Sequence, residues 1–242
     1  MFVGKKLSKI KVIGGKKITD SPKELSKNLE GSKLKDIYRS GKELRFQFSN
    51  NAILGMHLML TGDIFPFKKK NEKKSTIVEL YFSDGDGLAL IDRMKNAFVK
   101  LNPEEKKGID ALDPKLNYAY LKKALNRKAA IKNVLLDQNI IRGIGNGYSD
   151  EILWETRISP FSIAQAIPDA KIKELARTIK RILKSVSDKI YKKYPGLIQG
   201  EIRDFMKIHT KKKTESPTGA TIRTENRGML KTFYTDEQVL YK

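Results

Sequence analysis

Residues 129–161, AAIKNVLLDQNIIRGIGNGYSDEILWETRISPF, hold the clearest grouping of residues able to do chemistry. Two helix-patterned stretches flank a turn in which Gly143, Gly145 and Gly147 alternate, with Asn146 between the last two. Glycines tolerate positive φ and let another backbone approach closely. A helix opening beside Asn146 points free N–H groups and the positive end of its dipole outward, which suits a phosphate. Lys132, on the preceding helix, is placed to reach the same phosphate. Taken alone, the turn also fits an ordinary helical hairpin. It is not a dinucleotide fingerprint, because a helix and not a strand precedes it. Asp150 and Glu151 form an adjacent carboxylate pair of a kind used in proton transfer. Near a helix start they more simply complement the dipole.

The remaining candidates are scattered. His57 lies in a strand-like run just before Thr61-Gly62, and His209 in a basic hinge. Both also fit plain structural duties. Lys42 follows Gly41 at a strand start and is one of 49 basic residues. Cysteine is absent, which removes disulfides, thiolate catalysis and Cys-ligated zinc, and points to a reducing cytoplasm. The 49 Lys and Arg against 28 Asp and Glu leave a net charge of +21. Such a charge attracts polyanions: DNA, RNA or an anionic membrane. The plainer reading is a lysine-rich surface that only solvates, as KKKNEKK at 68–74 would. No apolar run is long enough for a transmembrane helix, and MFVGKKLSKIKV is no signal peptide, so no membrane partner is expected.

The elements that must position these residues change character along the chain. Residues 1–102 are strand-rich: KKLSKIKVIG, KELRFQFS, NAILGMHLML, STIVELYFS and GLALIDRM, with turn signals at Asn50-Asn51 and Asp84-Gly85-Asp86-Gly87. Leu44, Phe46 and Phe48 alternate with Glu43, Arg45 and Gln47. SPKELSKNLEG is a helix with Ser21 as cap, Pro22 in the first turn, Glu24 in the capping-box position and Gly31 beyond the end. Regular strand spacing suggests a sandwich or barrel. Residues 103–209 begin with a polar crossover, NPEEKKGIDALDPK, and then turn helical. The stripe Ile172, Leu175, Ala176, Ile179, Ile182, Leu183 and Val186 marks a long helix, read as core packing. Pro195-Gly196 stops it, and EIRDFMKIH reads as a last helix. Residues 210–242 form a basic hinge and a β-hairpin whose turn is expected at Glu225-Asn226-Arg227-Gly228. The fold class is α+β and multidomain: an N-terminal β-sandwich, a helical domain and a terminal hairpin.

The words AIKNVLLDQ, GIGNGYSDEILW and RISPF together resemble the helix–two-turn–helix of the Fpg/Nei family of bacterial DNA glycosylases, which excise oxidised bases and nick the abasic site. The likeness runs through nearly the whole chain in order. RSGKELRFQF resembles the family strand carrying a phosphate-binding lysine, here Lys42. GMHLMLTG resembles HLGMTG, which implies His57 near the DNA backbone and Leu60 near the duplex gap. KTFYTDEQ resembles the last strand of the family's zinc finger. The resemblance implies base-excision repair on damaged or abasic duplex DNA, bound by Lys42, His57, Lys132, Gly145, Asn146, His209 and Arg227, by a monomer associated with the nucleoid.

The sequence also departs from that pattern. The family's nucleophile is the amine of an N-terminal Pro followed by Glu, which forms a Schiff base at C1′. This sequence begins Met1-Phe2-Val3-Gly4, and no residue matches those two. No catalytic residue is therefore expected in this sequence, and it is expected to be a poor glycosylase. The finger's two thiolate pairs fall on Ser216 and Gly219, and on Thr235 and Gln238, so neither metal nor cofactor is expected and packing through Ile222, Phe233 and Tyr234 must suffice. The fingertip arginine aligns with Leu230, and Arg227 is the nearby substitute. The void-filling loop reads DRMKNA, with Lys95 for the inserted Arg and Asn96 for the aromatic, a weaker wedge beside Leu60. A noncatalytic DNA-binding module and an RNA- or ribosome-associated protein remain as alternatives, the latter without any RNP-like aromatic motif.

Overall fold

The computed structural model describes residues 1–228 and 230–242. The chain divides into two compact units: Met1–Glu105 with Ile198–Gly200, and Lys106–Leu197 with Glu201–Lys242.

The first unit is the sandwich. One antiparallel sheet has the order β1 (Leu7–Val12), β6 (Thr76–Phe82), β7 (Asp86–Asp92), β5 (Gly62–Lys68). The other has the order β2 (Leu34–Ser40), β3 (Glu43–Phe48), β4 (Ile53–His57), β8 (Phe98–Leu101). Alternation puts Phe46, Phe48, Leu54 and Met56 of one sheet in the same buried cluster as Leu7, Val78, Leu80 and Leu90 of the other. Helix α1 (Pro22–Leu29) adds Leu25 and Leu29 to that cluster. Its capping box forms as its sequence dictates: Glu24 N donates to Ser21 Oγ (3.2 Å) and Ser21 N to Glu24 Oε2 (2.9 Å). Arg45 breaks the simple alternation; it is buried on β3, with its guanidinium on Glu43 (2.9 Å) and on the Pro103 carbonyl (2.9 Å).

In the second unit the polar crossover is not structureless. It carries β9 (Ile109–Asp110), which pairs in parallel with β10 (Ile141–Arg142). The helices are α2 (Tyr118–Leu125), α3 (Ile131–Leu136), α4 (Asn146–Glu155) and α5 (Asp169–Lys193). They share an apolar core that includes Leu121, Val134, Ile152, Leu153, Leu175 and Ile179. The stripe on α5 is buried at Ile172, Leu175, Ala176 and Ile179, while Ile182 and Leu183 are only half-buried and pack on its edge.

Two expectations are corrected here. Residues 201–209 form no helix. The N–H groups of Lys207, Ile208 and His209 donate instead to the Glu151 carboxylate (2.8, 2.9 and 2.8 Å), so they are lost to any i−4 carbonyl. The terminal hairpin is β11 (Arg223–Arg227) with β12 (Leu230–Tyr234), so Glu225, Asn226 and Arg227 are strand residues and the turn begins only at Gly228, at φ +59°.

Candidate nucleic-acid interface

In the helical unit, α4 starts at Asn146 behind Gly145, and no side chain caps it. Its first-turn N–H groups are thus left without a side-chain acceptor, as an anion site requires. Only Gly143 of the three alternating glycines takes positive φ (+103°). Gly145 is extended, and Gly147 is small for a packing reason: a Cβ there would stand 3.3 Å from both His209 Cδ2 and Met206 Cε. Asn146 is half-buried, and its Nδ2 donates to the Lys231 carbonyl (2.9 Å). Its Oδ1 is buried and has no hydrogen-bond partner among the described residues.

Lys132 is not at a surface. It is 4% exposed, with Nζ 2.6 Å from Asp150 Oδ1 and donating to Thr232 Oγ1 (2.8 Å). The expected reach to a phosphate gives way to a role holding α3, α4 and β12 together. Burial pushes the Lys132 ammonium below its usual range although Asp150 favours the charged form. Asp150 is itself fully buried and completes its shell with His209 Nδ1 (2.7 Å) and Phe233 N (2.9 Å), both on Oδ2. The carboxylate pair on α4 is therefore neither a proton shuttle nor dipole trim. Asp150 grips the hairpin and Glu151 grips the chain leading to it. A signal was present in the sequence: acids flanked by Ile152, Leu153 and Trp154 on a helix with no polar face must be paired.

His209 is 8% exposed, packed 4.6 Å from the Phe233 ring, and it lines a cavity of about 550 Å³. Five cations share that lining, among them Lys211, Lys212 and Lys231, against the acids Glu201 and Asp204. Met206 and His209 of the same lining stand beside Gly147, and Asn146 bonds the carbonyl of Lys231, another lining residue, so the uncapped helix start adjoins the cationic cavity. By sequence alone the run Lys211–Lys213 reads only as a basic hinge; the fold sets it in this cavity. Arg227 stands directly opposite Leu230 in the hairpin register, so the aligned fingertip position and its substitute are cross-strand neighbours. The Arg227 guanidinium lies 4.0 Å over the Phe161 ring, and its Nε donates to Glu225 (2.7 Å).

In the sandwich unit, Gly41 and Lys42 are the two-residue turn between β2 and β3, with Gly41 at φ +60° and Lys42 exposed. Glu43 pairs with His57, and His57 with Phe98. Register thus brings Lys42, His57 and the loop before Phe98 to one end of the sheet. The His57 ring stacks on Phe98 (5.4 Å), and its Nδ1 accepts the Met59 N–H (2.9 Å), which puts a ring proton on Nε2 as a donor. Leu60 is 79% exposed beside it. Lys95 is exposed at φ +56°, and Asn96 is half-buried.

One buried group ties these two loops together. The Asp92 carboxylate, 1% exposed, accepts from Thr61 Oγ1 (2.5 Å), Met94 N (3.0 Å), Asn96 N (2.7 Å) and Ala97 N (2.7 Å). Leu60, Lys95 and Asn96 are therefore presented from a common anchor, which sequence reading had missed.

Two family models and several relatives match the chain. Residues 1–98 match the formamidopyrimidine-DNA glycosylase N-terminal domain, and residues 108–191 match the formamidopyrimidine-DNA glycosylase H2TH domain. The formamidopyrimidine-DNA glycosylase of Lactobacillus gasseri is 37% identical over 191 residues, covering 74% of this chain and 69% of that protein. The one from Mycoplasma genitalium is 32% identical over 210 residues, covering 79% and 72%. Among solved structures, Lactococcus lactis Fpg in complex with an abasic-site-containing DNA superposes with a TM-score of 0.85 at 21% identity, covering 98% of this chain and 93% of that one, a likeness of fold. By sequence, the chain is a member of the formamidopyrimidine-DNA glycosylase family.

Proposed function

We propose that this protein binds damaged or abasic duplex DNA in base-excision repair, as a monomer in the nucleoid-associated cytoplasm. The observation that carries the reading is the uncapped start of α4, where Asn146 bonds the carbonyl of Lys231, adjoining the cavity lined by His209, Lys211, Lys212 and Lys231. Free N–H groups and clustered ammonium groups together suit consecutive phosphates of one strand. The sandwich supplies a second set, with Lys42 and His57 as phosphate donors and Leu60, Lys95 and Asn96 as the group that fills the gap left by an everted nucleotide. The relatives named as glycosylases support the same assignment.

The test is a titration of abasic duplex at several salt concentrations. Affinity falls steeply with salt, and Lys212→Ala lowers affinity about equally for every sequence and makes the slope shallower by about one. Equal affinity of wild type and Lys212→Ala at every salt concentration would remove the cavity from the interface.

A second reading is recognition of the same duplex without chemistry. Borohydride trapping with abasic duplex separates the two: a covalent adduct assigns an amine of these residues to the lyase step, and a mobility shift without adduct or strand cleavage assigns them recognition alone.

A further inference from the structure

The hairpin β11–β12 and the residues flanking it contain two short turns of the kind that hold a metal in many small fingers. Residues 216–219 are closed by Gly219 N to the Ser216 carbonyl (3.0 Å), and residues 235–238 by Gln238 N to the Thr235 carbonyl (3.3 Å). A structural zinc needs four thiolate or imidazole ligands at such corners. The corners here are Ser216, Gly219, Thr235 and Gln238, and their polar groups are already engaged. Ser216 Oγ accepts from the Ala220 and Thr218 amides (3.2 and 3.3 Å), and the Gln238 side chain spans Thr235 N and the Ile158 carbonyl (both 2.8 Å). This donor set does not fit a metal.

A carboxylate lies between the turns. Glu237 Oε2 is 2.8 Å from the Arg157 guanidinium. It accepts from Thr235 Oγ1 (3.0 Å) and Trp154 Nε1 (3.3 Å), and Ser216 Oγ stands at 3.5 Å. One oxygen thus gathers the 216 turn, the 235 turn, and Trp154 and Arg157 at the end of α4. Trp154 is in turn one wall of the small apolar cluster with Ile208, Ile222 and Phe233 that underlies the hairpin. We propose that the Glu237 carboxylate is the clasp of this finger, taking the place of a metal ion and positioning the hairpin on α4. Charge is needed as well as shape, because Arg157 brings a full positive charge against an acceptor that a neutral amide only half replaces.

The decisive measurement is hydrogen exchange in the DNA-free protein, comparing wild type with Glu237→Gln. The hairpin amides of β11 and β12 exchange at least about tenfold faster in the variant, while those of α5 keep their rates. Hairpin amides at the wild-type rate, or loosening spread evenly over the helical unit, would overturn the proposal. A second variant asks whether the place is a metal's. In the Glu237→Gln background, Ser216→Cys, Gly219→Cys, Thr235→Cys and Gln238→Cys are combined. Added zinc restores slow exchange in the hairpin and a chelator reverses it, since zinc binding energy is large beside the strain of a Cys at φ +82°. Zinc binding to the folded quadruple variant without slowing of the hairpin amides counts against the proposal. If the quadruple variant does not fold, the comparison of wild type with Glu237→Gln decides alone.

A DNA titration then links the clasp to the proposed function, on which this arm alone rests. Glu237→Gln binds abasic duplex about tenfold more weakly, with a shallower salt slope as hairpin phosphate contacts drop out. Wild type that binds no duplex overturns the functional reading and leaves the exchange result standing.

Discussion

The loop end of the sandwich and the terminal hairpin use one device on different foundations. In both, buried or half-buried carboxylates collect N–H and O–H donors from different segments of the chain. Asp92 does this for residues 58–62 and 92–97 on top of a large two-sheet core. Among the described residues, the hairpin rests on the small cluster of Trp154, Ile208, Phe233 and Ile222, with Tyr234 against Phe161, and is gripped by Asp150, Glu151 and Glu237. Apolar burial scales with area, so the small cluster supplies little of what fixes the hairpin. Where the core is large a carboxylate shapes a loop; where it is small, carboxylates decide whether the element is held at all.

The largest expected effect follows from that asymmetry. Asp150→Ala strips Lys132 of its counter-charge and leaves the Phe233 N–H and the His209 ring unpaired. Breaking a buried pair on one side costs about 3–5 kcal/mol, because the remaining charge stays buried. Denaturant unfolding of the full chain shows a loss of that size, and the near-ultraviolet signal of Trp154, the sole tryptophan, goes first. A loss below about 1 kcal/mol would mean that the hairpin is held elsewhere. Lys132→Met in the same background recovers much of the loss, since it removes the orphaned charge.

Asp92→Asn is the matching cut in the sandwich, expected to cost about 1–3 kcal/mol. Burial pushes the Asp92 carboxyl upward, but hydrogen bonds from Thr61 and from the Ala97, Met94 and Asn96 amides outweigh it and hold it below the usual carboxylate range. A folded value below the unfolded one means that the unfolded chain binds the proton more readily. The stabilisation is complete above the unfolded value and drains away as pH falls through the folded one. Wild-type stability therefore declines across the acid range more steeply than that of Asp92→Asn. Parallel pH profiles for the two would deny Asp92 its part.

How far the sequence disclosed this comparison depends on what kind of contact was involved. Alternation at Leu44, Phe46 and Phe48, the Ser21–Glu24 box and the α5 stripe are local patterns, and they forecast the sandwich and helices. Lys42, His57 and Leu60 are proposed from motif words, and strand register sets Lys42 and His57 at one end of the sheet. The anchors were not legible, because each joins residues far apart in the chain: Asp150 with Phe233, Glu151 with Ile208, Glu237 with Trp154. The failed helix at 201–209 has the same origin, since a distant carboxylate took the amides that local propensity assigned to a helix.

Leu60→Ala sharpens the contrast between anchor and tip. The side chain is 79% exposed, so stability stays within about 0.5 kcal/mol. Binding to abasic duplex falls while binding to single strands does not, if Leu60 occupies the gap in the stack. Equal losses for both substrates would place it on the backbone instead.

The smallest effect has the opposite sign. Met59 sits at φ +55° between His57 and Leu60, at the place where the family's HLGMTG word has glycine. A side chain in that region costs about 1–2 kcal/mol, and glycine there gives back about 0.5–1 kcal/mol through its freer unfolded chain. Met59 is 40% exposed, so its removal gives up only part of a side chain's burial. The Met59 N–H to His57 bond is a backbone contact and survives the change. Met59→Gly should therefore raise stability by about 0.5 kcal/mol, read as a small upward shift of the denaturant midpoint at constant slope. A fall would show that the methionine side chain itself is held by the loop. The wedge would then extend from Leu60 to Met59, with Met59→Gly weakening the grip on abasic duplex as well.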